Sequence, residues 1–517
     1  MRCRCIRIYE ELIDNEMKRI LLSICCILLA LSSSAQSPQS YLVSDFNEEE
    51  LEQVLDLCRQ GGFEQLLHRF PFSTYGHYEW NPSFAGKGNL SVARMVQKAS
   101  EAGVRLGVLV HEDAISLNDS YFSPRYFKQL RRMGEVRLFS DITAEQRDMV
   151  IYHSGVMDHP STLNLILIGN ELISYSTMEP ASDLLYLHGC SRGLYGTRSE
   201  AHRTTDKAYK LWDAPERYCA PDGPLLDSVR IGLAHRIAAS GSPFTMPSGG
   251  YGQELLNESQ RVQMVDRWTM EKPSYDSVVQ PMLLGWFPVR VSDRRQSCTT
   301  MEDVEWLLAK AAAFDAGYGL LVSRGAMQRH GMLGKILAQV NAWDKLRYAG
   351  AFTDEMKESL RDPYQDWHLE QQDEDHFLLY RLQVSRRYRC VFAEPDSGYY
   401  AAEAWEWKAE EEGRFGLRIQ VEGKGEIQHP VLQTPCGTLS FPCTIQANQY
   451  LIYDFDSVAY VTDLNFNKIQ EVVPEGVPEL TEGGQEVRFS CKIPNAKRIP
   501  MVSVRYLMRE QPMGIGF

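Results

Sequence analysis

Between Tyr41 and Leu346, short runs of continuous apolar residues alternate with segments whose apolar positions recur every three or four residues. Tyr41–Phe46 reads as a strand. Glu48–Gln60 places Leu51, Val54, Leu55 and Leu57 at helical spacing, and Gly61-Gly62 stops it. Phe63–His68 is a second apolar run. Asn89–Ala102 sets Val92, Met95, Val96 and Ala99 on one helical face, and Gly103–Val110 is a continuous apolar strand. Further on, Leu225–Ala239 is helical, Pro281–Val291 a strand, Met301–Ala316 a helix, Gly317–Val322 a strand and Met332–Leu346 a helix. Continuous apolar strands separated by amphipathic helices predict a parallel sheet covered by helices on its faces. The count and length fit an α/β fold of the (β/α)8 TIM-type barrel better than an open sheet. No GxGxxG follows the first strand, which argues against a dinucleotide fold.

The rhythm lapses between about 131 and 211. Leu163–Ile168, a Gly169-Asn170 turn, Glu171–Tyr175 and Leu184–His188 predict a β-hairpin insertion in a loop of the barrel domain. Beyond about Asp362 only short strands remain, among them Phe377–Leu382, Gly416–Val421, Val487–Cys491 and Val502–Tyr506. Their regular turn spacing predicts an all-β sandwich domain. The expected division is therefore a barrel domain over 36–361 and a C-terminal β-sandwich over 362–517. No low-complexity linker separates them, so the two are expected to pack together.

The front of the chain changes the setting. Met17-Lys18-Arg19 is a basic start, Ile20–Leu31 an apolar run, and Ser32 to Ala35 supply small residues with Ser33 and Ala35 at the two cleavage-site positions. This is the pattern of a signal peptide over 17–35. The run is about a dozen residues, where a membrane span needs ~20. Residues 1–16 read as a start-site extension. Ile24 precedes Cys25, and a lipid-attachment cysteine needs a small residue there. The expectation is a secreted or periplasmic protein, cut after Ala35, with no integral membrane span after cleavage.

The formal charge is −14, so nucleic acid is not an expected partner. Of twelve cysteines, Cys3, Cys5, Cys25 and Cys26 precede the cleavage point, leaving eight that are widely scattered without a CxxC. A structural zinc site is not expected, whereas one or two disulfides and buried free thiols both remain open. There is no GxSxG, HExxH or Walker motif, and His153 and His159 lack a third ligand. No cofactor or metal is expected, and nothing sets an oligomeric state.

In a barrel of this kind the loops after the strands hold the site. Phe72–Asn81 mixes aromatics with polar groups: Tyr75, His77, Glu79 and Asn81. Saccharide sites need this mixture, because aromatic faces stack on a pyranose while carboxylates and amides hold its hydroxyls. After the third strand come His111, Glu112, Asp113, Asn118 and Asp119. Two carboxylates on different loops are the equipment of glycoside hydrolysis. Glu79, Glu112 and Asp113 are the candidate acids. Gly285–Arg290 offers Trp286 as a stacking platform and Arg290 as an anion binder. For each loop an ordinary structural role stays open. Cys190–Thr197, with His202, reads as a glycine-driven tight turn, as does the Glu171 hairpin.

Five stretches together resemble a family of exported TIM-barrel proteins of the glycoside-hydrolase type from bacterial polysaccharide-utilisation systems. They are Tyr41–Phe46, Tyr75–Pro82 (YGHYEWNP), Ala102–Pro124, Gly169–Tyr175 with Cys190–His202, and Leu284–Ala316. The resemblance covers about 41–350, and it implies a carbohydrate substrate. Such proteins carry an acidic strand end of the type F-D-G-x-E-G after the helix that here is Leu225–Ala239. This chain has Ser242–Tyr251, with no carboxylate until Glu254. Two expectations follow. The first is a glycosidase using Glu79, Glu112 and Asp113, with Tyr75, His77, Asn81, Asp119, Trp286 and Arg290 binding sugar. The second is a catalytically impaired relative that keeps the cleft and only binds glycan.

Overall fold

The structure is a computed structural model of the 517-residue chain and describes residues 39–159, 161–213, 218–247, 283–393, 398–455, 457–477, 479–495 and 497–516. The export segment Met17–Ala35, the extension before it, Ser248–Tyr251 and Glu254 lie outside the described residues.

Six parallel strands form the central sheet: β1 (Tyr41–Ser44), β2 (Gln65–His68), β3 (Arg105–Val110), β4 (Phe244–Pro247), β5 (Leu283–Val289) and β6 (Gly317–Val322). Seven helices accompany them among the described residues: α1 (Leu51–Gly61), α2 (Asn89–Glu101), α3 (Pro224–Ala238), α4 (Met301–Ala313), α5 (Arg324–Arg329), α6 (Leu333–Tyr348) and α7 (Asp354–Leu360). The strand order is β4-β3-β2-β1-β6-β5. The first strand thus pairs with the last, Val43 standing opposite Leu321, and the remaining neighbours follow in chain order. The described residues supply six strands of the eight expected, and 248–282 falls between β4 and β5.

Alternation along the strands explains how this sheet packs. Leu42, Leu66, Val108 and Leu320 belong to the core that also contains the helix residues Leu55, Val92, Val229, Leu307 and Leu337. The other alternate set, Tyr41, Val43, Leu67, Leu109, Met246, Trp286 and Leu321, forms a separate cluster with a member from every strand and none from a helix. Helices therefore cover one face, and the other face packs on itself. Gly319 is what admits Trp286: a Cβ there would lie 2.6 Å from Trp286 Cδ1 and 2.8 Å from the Tyr41 ring. Trp286 Nε1 donates to Tyr41 Oη at 2.8 Å, so the indole is buried without an unpaired N–H.

The insertion consists of two small antiparallel sheets. Arg132–Val136, Ala208–Leu211, Leu165–Ile168 and Glu171–Ser174 form one, and Met149–Tyr152, Leu184–His188 and Thr177–Ala181 the other. Val136, Met149, Ile151, Ile166, Ile168, Leu185 and Leu187 fill the core between them. The Cys190–Thr197 turn is held by Glu171. This buried carboxylate accepts from Arg192 Nε and Nη2 (both 2.8 Å), His202 Nε2 (2.7 Å), Gly193 N (2.9 Å) and Glu200 N (3.1 Å). Burial opposes the charge, yet the His202, Arg192 and backbone donors hold the carboxyl down to about 2.

From Asp366 onward the chain is antiparallel. A ten-stranded and a seven-stranded sheet enclose a second core that includes Phe415, Leu417, Ile419, Phe489, Val504 and Tyr506. The first strands of this region also share the α/β core, since Trp367, Leu369, Phe377 and Leu379 pack in the same cluster as α4 and α6. Glu305 of α4, buried, accepts from His368 Nδ1 (2.8 Å), Leu369 N (2.9 Å), Gln339 Nε2 (2.5 Å) and Trp343 Nε1 (3.3 Å). Lys310 Nζ donates to the carbonyls of Leu360 and Asp362. Cys58, Cys190, Cys219, Cys298, Cys390, Cys436, Cys443 and Cys491 are all free thiols. Among the described residues no helix is long and apolar enough to cross a membrane.

Two expectations follow. Glu305→Ala strands four donors at the seam, those of Leu369 and Trp343 buried, so it should cost about 3–5 kcal/mol and split urea unfolding into two transitions. A single transition at the wild-type midpoint would show that the seam is held elsewhere. For Glu171 the folded pKa lies below the unfolded value of 4.5, so its contribution is present above 4.5 and fades as pH falls toward 2. At neutral pH it amounts to about 3 kcal/mol. The urea midpoints of wild type and Glu171→Gln should therefore differ at pH 7 and converge as pH falls through that window.

Candidate functional site

The inward alternation of the strands continues one residue past their carboxyl ends. Asp45 follows β1 and Arg69 follows β2; Arg69 Nη2 donates to Asp45 Oδ2 at 2.8 Å. Asp45 Oδ1 and Arg69 Nε are buried without a hydrogen-bond partner among the described residues. The sequence reading missed this pair, although the same strand-end rule that picked Glu112 would have found it. His68 points the other way. Its ring lies between Phe46 and Phe84 (centroids 5.0 and 4.0 Å), Nε2 reaches Phe46 O, and burial pushes its pKa down to about 3. It is a neutral core histidine.

The loop after β2 folds back on itself. Phe72 bridges Trp80, and Ser73 N donates to Glu79 O at 2.8 Å. Asn81 shapes the exit: its side-chain oxygen accepts from Ser83 N, and its carbonyl accepts from Phe84 N and Ala85 N. It is a turn residue, held by the loop's own backbone. Tyr78 takes a φ of +51° and is fully buried, its hydroxyl donating to the carbonyls of His111 and Glu112. That contact ties the loop after β2 to the loop after β3. Tyr75 is buried against His111 (4.6 Å) and Tyr218 (5.0 Å), so it packs the two loops together and is no open stacking face. Burial lowers the His111 pKa to about 4.

His77 and Asp119 form the site's most ordered polar pair. His77 Nδ1 lies 2.8 Å from Asp119 Oδ1, and His77 N donates to Asp119 Oδ2 at 2.9 Å. Tyr121 N donates to Asp119 Oδ1 at 2.9 Å. The Asp119 side chain is 1% exposed and its oxygens are occupied, so it positions His77 rather than meeting a ligand itself. Because a carboxylate only accepts, Nδ1 carries the proton and Nε2 is left as the ring nitrogen that can exchange one. The imidazole is 41% exposed and stacks on Tyr121 at 3.9 Å, 21° from parallel. Gly76 is required beside it: its φ is +118°, and a Cβ would lie 2.7 Å from Asp119 Oδ1.

The three candidate acids differ. Asp113 is engaged by α3, where Arg230 Nη2 lies 2.9 and 3.1 Å from its two oxygens and Nε 3.1 Å from Oδ1. Glu112 is exposed beside it, and Glu79 is exposed on the returning limb of the Phe72–Trp80 loop. Arg236 of α3 donates to His77 O at 3.4 Å and to Asn89 Oδ1 at 3.3 Å, fastening the loop to the helix. Trp286 is not with this group. It is buried inside the sheet on β5, with β1 and β6 between it and β2, which corrects its assignment as a stacking platform. Arg290 follows β5, its backbone bound to Thr299 Oγ1, and it too is separated from His77 by those strands. Tyr121, Arg230 and Tyr218 were missed. Tyr218 and Arg230 lie more than a hundred residues from their partners, a separation only the fold closes.

No protein-family model and no curated protein sequence matches the chain. Among solved structures, the chain is similar to the GH36 alpha-galactosidase AgaB from Geobacillus stearothermophilus at 10% identity and a TM-score of 0.29, over 89% of this chain and 56% of that one. It is similar to an alpha-galactosidase from Lactobacillus brevis at 12% identity and a TM-score of 0.31, over the same shares. A maltogenic alpha-amylase, AmyB from Thermotoga neapolitana, shows 7% identity and a TM-score of 0.30, over 92% and 98% of the two chains. The chain spans 56% of the length of these alpha-galactosidases.

Proposed function

We propose that the chain is an exported, glycoside-hydrolase-like protein. It takes a saccharide across the loops that follow β2 and β3, within a (β/α)8-type barrel whose first and last strands pair as β1 and β6. The observation that carries this reading is His77. Its ring is fixed by a buried carboxylate, stacked on Tyr121, and partly open to solvent within the loop pair that carries Glu79, Glu112 and Asp113. Rigid rings bounded by hydrogen-bonding groups suit a pyranose, which presents C–H faces and an equatorial rim of hydroxyls. Export is supported by the basic, apolar and small-residue order of Met17–Ala35.

In the hydrolytic form of the reading, Glu112 protonates the leaving oxygen. As the bond from that oxygen to the anomeric carbon breaks, either a second carboxylate or His77 Nε2 takes a proton from the water whose oxygen bonds that carbon, or a second carboxylate bonds the carbon and is later displaced by water. A second reading, glycan binding without hydrolysis, is favoured by Asp113, whose two oxygens are both held by Arg230.

Release of reducing ends from a panel of polysaccharides and oligosaccharides, paired with titration calorimetry, separates the two. If the protein hydrolyses, Glu112→Gln should lower kcat by about 10²–10⁴-fold with an unchanged unfolding curve. Tyr121→Ala should chiefly raise KM. Heat of binding without release of sugar supports the second reading. A wild type that shows neither binding nor release across the panel rejects both.

A further inference from the structure

We propose that the insertion carries a second glycan-binding surface, an exposed aromatic sheet face that holds an extended saccharide chain against Phe139, Tyr152 and Tyr186. The inference rests on the glycan reading above and extends it to a part of the chain that the His77 site does not use.

The argument begins with alternation. Met149, Ile151, Leu185 and Leu187 fill the insertion's core, so Val150, Tyr152, Leu184, Tyr186 and His188 stand on the opposite face of the sheet. Tyr186 lies opposite Val150, and Leu184 opposite Tyr152. Phe139 joins them from the adjoining segment, where its N–H donates to Val150 O at 2.9 Å. Phe139, Val150 and Tyr186 therefore form one row across the sheet. Phe139 is 48% exposed, Tyr152 46% and Tyr186 39%, so three large rings on one face are each partly open to solvent. The Phe139 and Tyr152 rings are 5.6 Å apart, and Tyr186 lies 6.5 Å from His188 with the two planes 17° from parallel. Phe139 and Tyr186 are two strands apart, about 10 Å, the reach of two linked pyranose rings.

The composition of the face decides the occupant. At roughly 200 Å² per aromatic side chain, with under half of each exposed, the three rings offer about 300 Å². A specific protein interface needs about 800 Å² per partner and a dry centre. The rim here is wet and ionic: His188 is 3.5 Å from both Asp148 and Glu179. A small stacking area edged by acceptors and an imidazole matches the C–H face and hydroxyl rim of sugars. It does not match the apolar heart of a protein partner.

The test uses the full mature chain in native gels containing hydroxyethyl cellulose, soluble starch or galactomannan, alongside size-exclusion chromatography with light scattering. At least one polysaccharide should retard the wild type. The Tyr152→Ala/Tyr186→Ala double variant, altered only at exposed positions, should bind it about tenfold or more weakly, with unchanged thermal unfolding and unchanged sugar release from short soluble oligosaccharides. Retardation that the double variant keeps, or sugar release by a wild type that is not retarded, overturns this inference and leaves the glycan reading standing. A wild-type dimer that the double variant dissolves assigns the face to a protein interface and overturns it as well. A wild type neither retarded nor active overturns both.

Discussion

The filling of the sheet's inner face is the constraint on which the rest of the structure depends. Strands buried on both sides must find partners for both sets of alternate side chains, and here the helices supply only one set. The other set closes on itself around Trp286, which fits because Gly319 has no side chain and Tyr41 accepts its N–H. Among the described residues this inner face is taken up by apolar side chains. Polar chemistry is pushed to the carboxyl ends, where Ser44, His68, Val110 and Val289 give way to Asp45, Arg69, His111 and Arg290. The loops that follow must then be held in place by contacts of their own.

Those contacts explain what the sequence could and could not disclose. Strand and helix positions were legible because two-sided burial writes continuous apolar runs, and amphipathic helices write a three-to-four period. Gly317–Val322 and Leu184–His188 match their observed bounds. Trp286 was misread for the same reason. A tryptophan in an apolar strand reads alike whether it faces a ligand or an interior, and the glycine that makes room for it lies on another strand. Tyr75 and Asn81 were drawn to the site by residue type, whereas packing and turn geometry decide their roles. The link from Asp113 to Arg230 depends on where α3 returns, and that from Tyr75 to Tyr218 on the pairing of Tyr218–Cys219 with Ile115–Ser116, neither of which a local pattern records.

Three buried carboxylates show why residue type alone could not separate scaffold from site. Asp119, Glu171 and Glu305 each accept at least one backbone N–H and a histidine. The physical reason is common to all three: a charge removed from water is tolerated only when donors surround it. Each therefore organises a piece of chain, namely the loop after β3, the Cys190–Thr197 turn and the seam between the α/β and all-β regions.

The difference among the three lies in the imidazole. The side chain of His202 beside Glu171 is 5% exposed, and that of His368 beside Glu305 is 22% exposed and also held by Arg509. His77 beside Asp119 is 41% exposed, and its Nε2 is unengaged among the described residues. A histidine held on both nitrogens, or sealed from solvent beside its carboxylate, is part of a clamp. A carboxylate that fixes a single nitrogen and leaves the ring partly exposed has made a positioned, accessible imidazole. By that criterion the loops after β2 and β3 hold the arrangement among the three that could touch a substrate, while the other two use the same chemistry to hold the chain together.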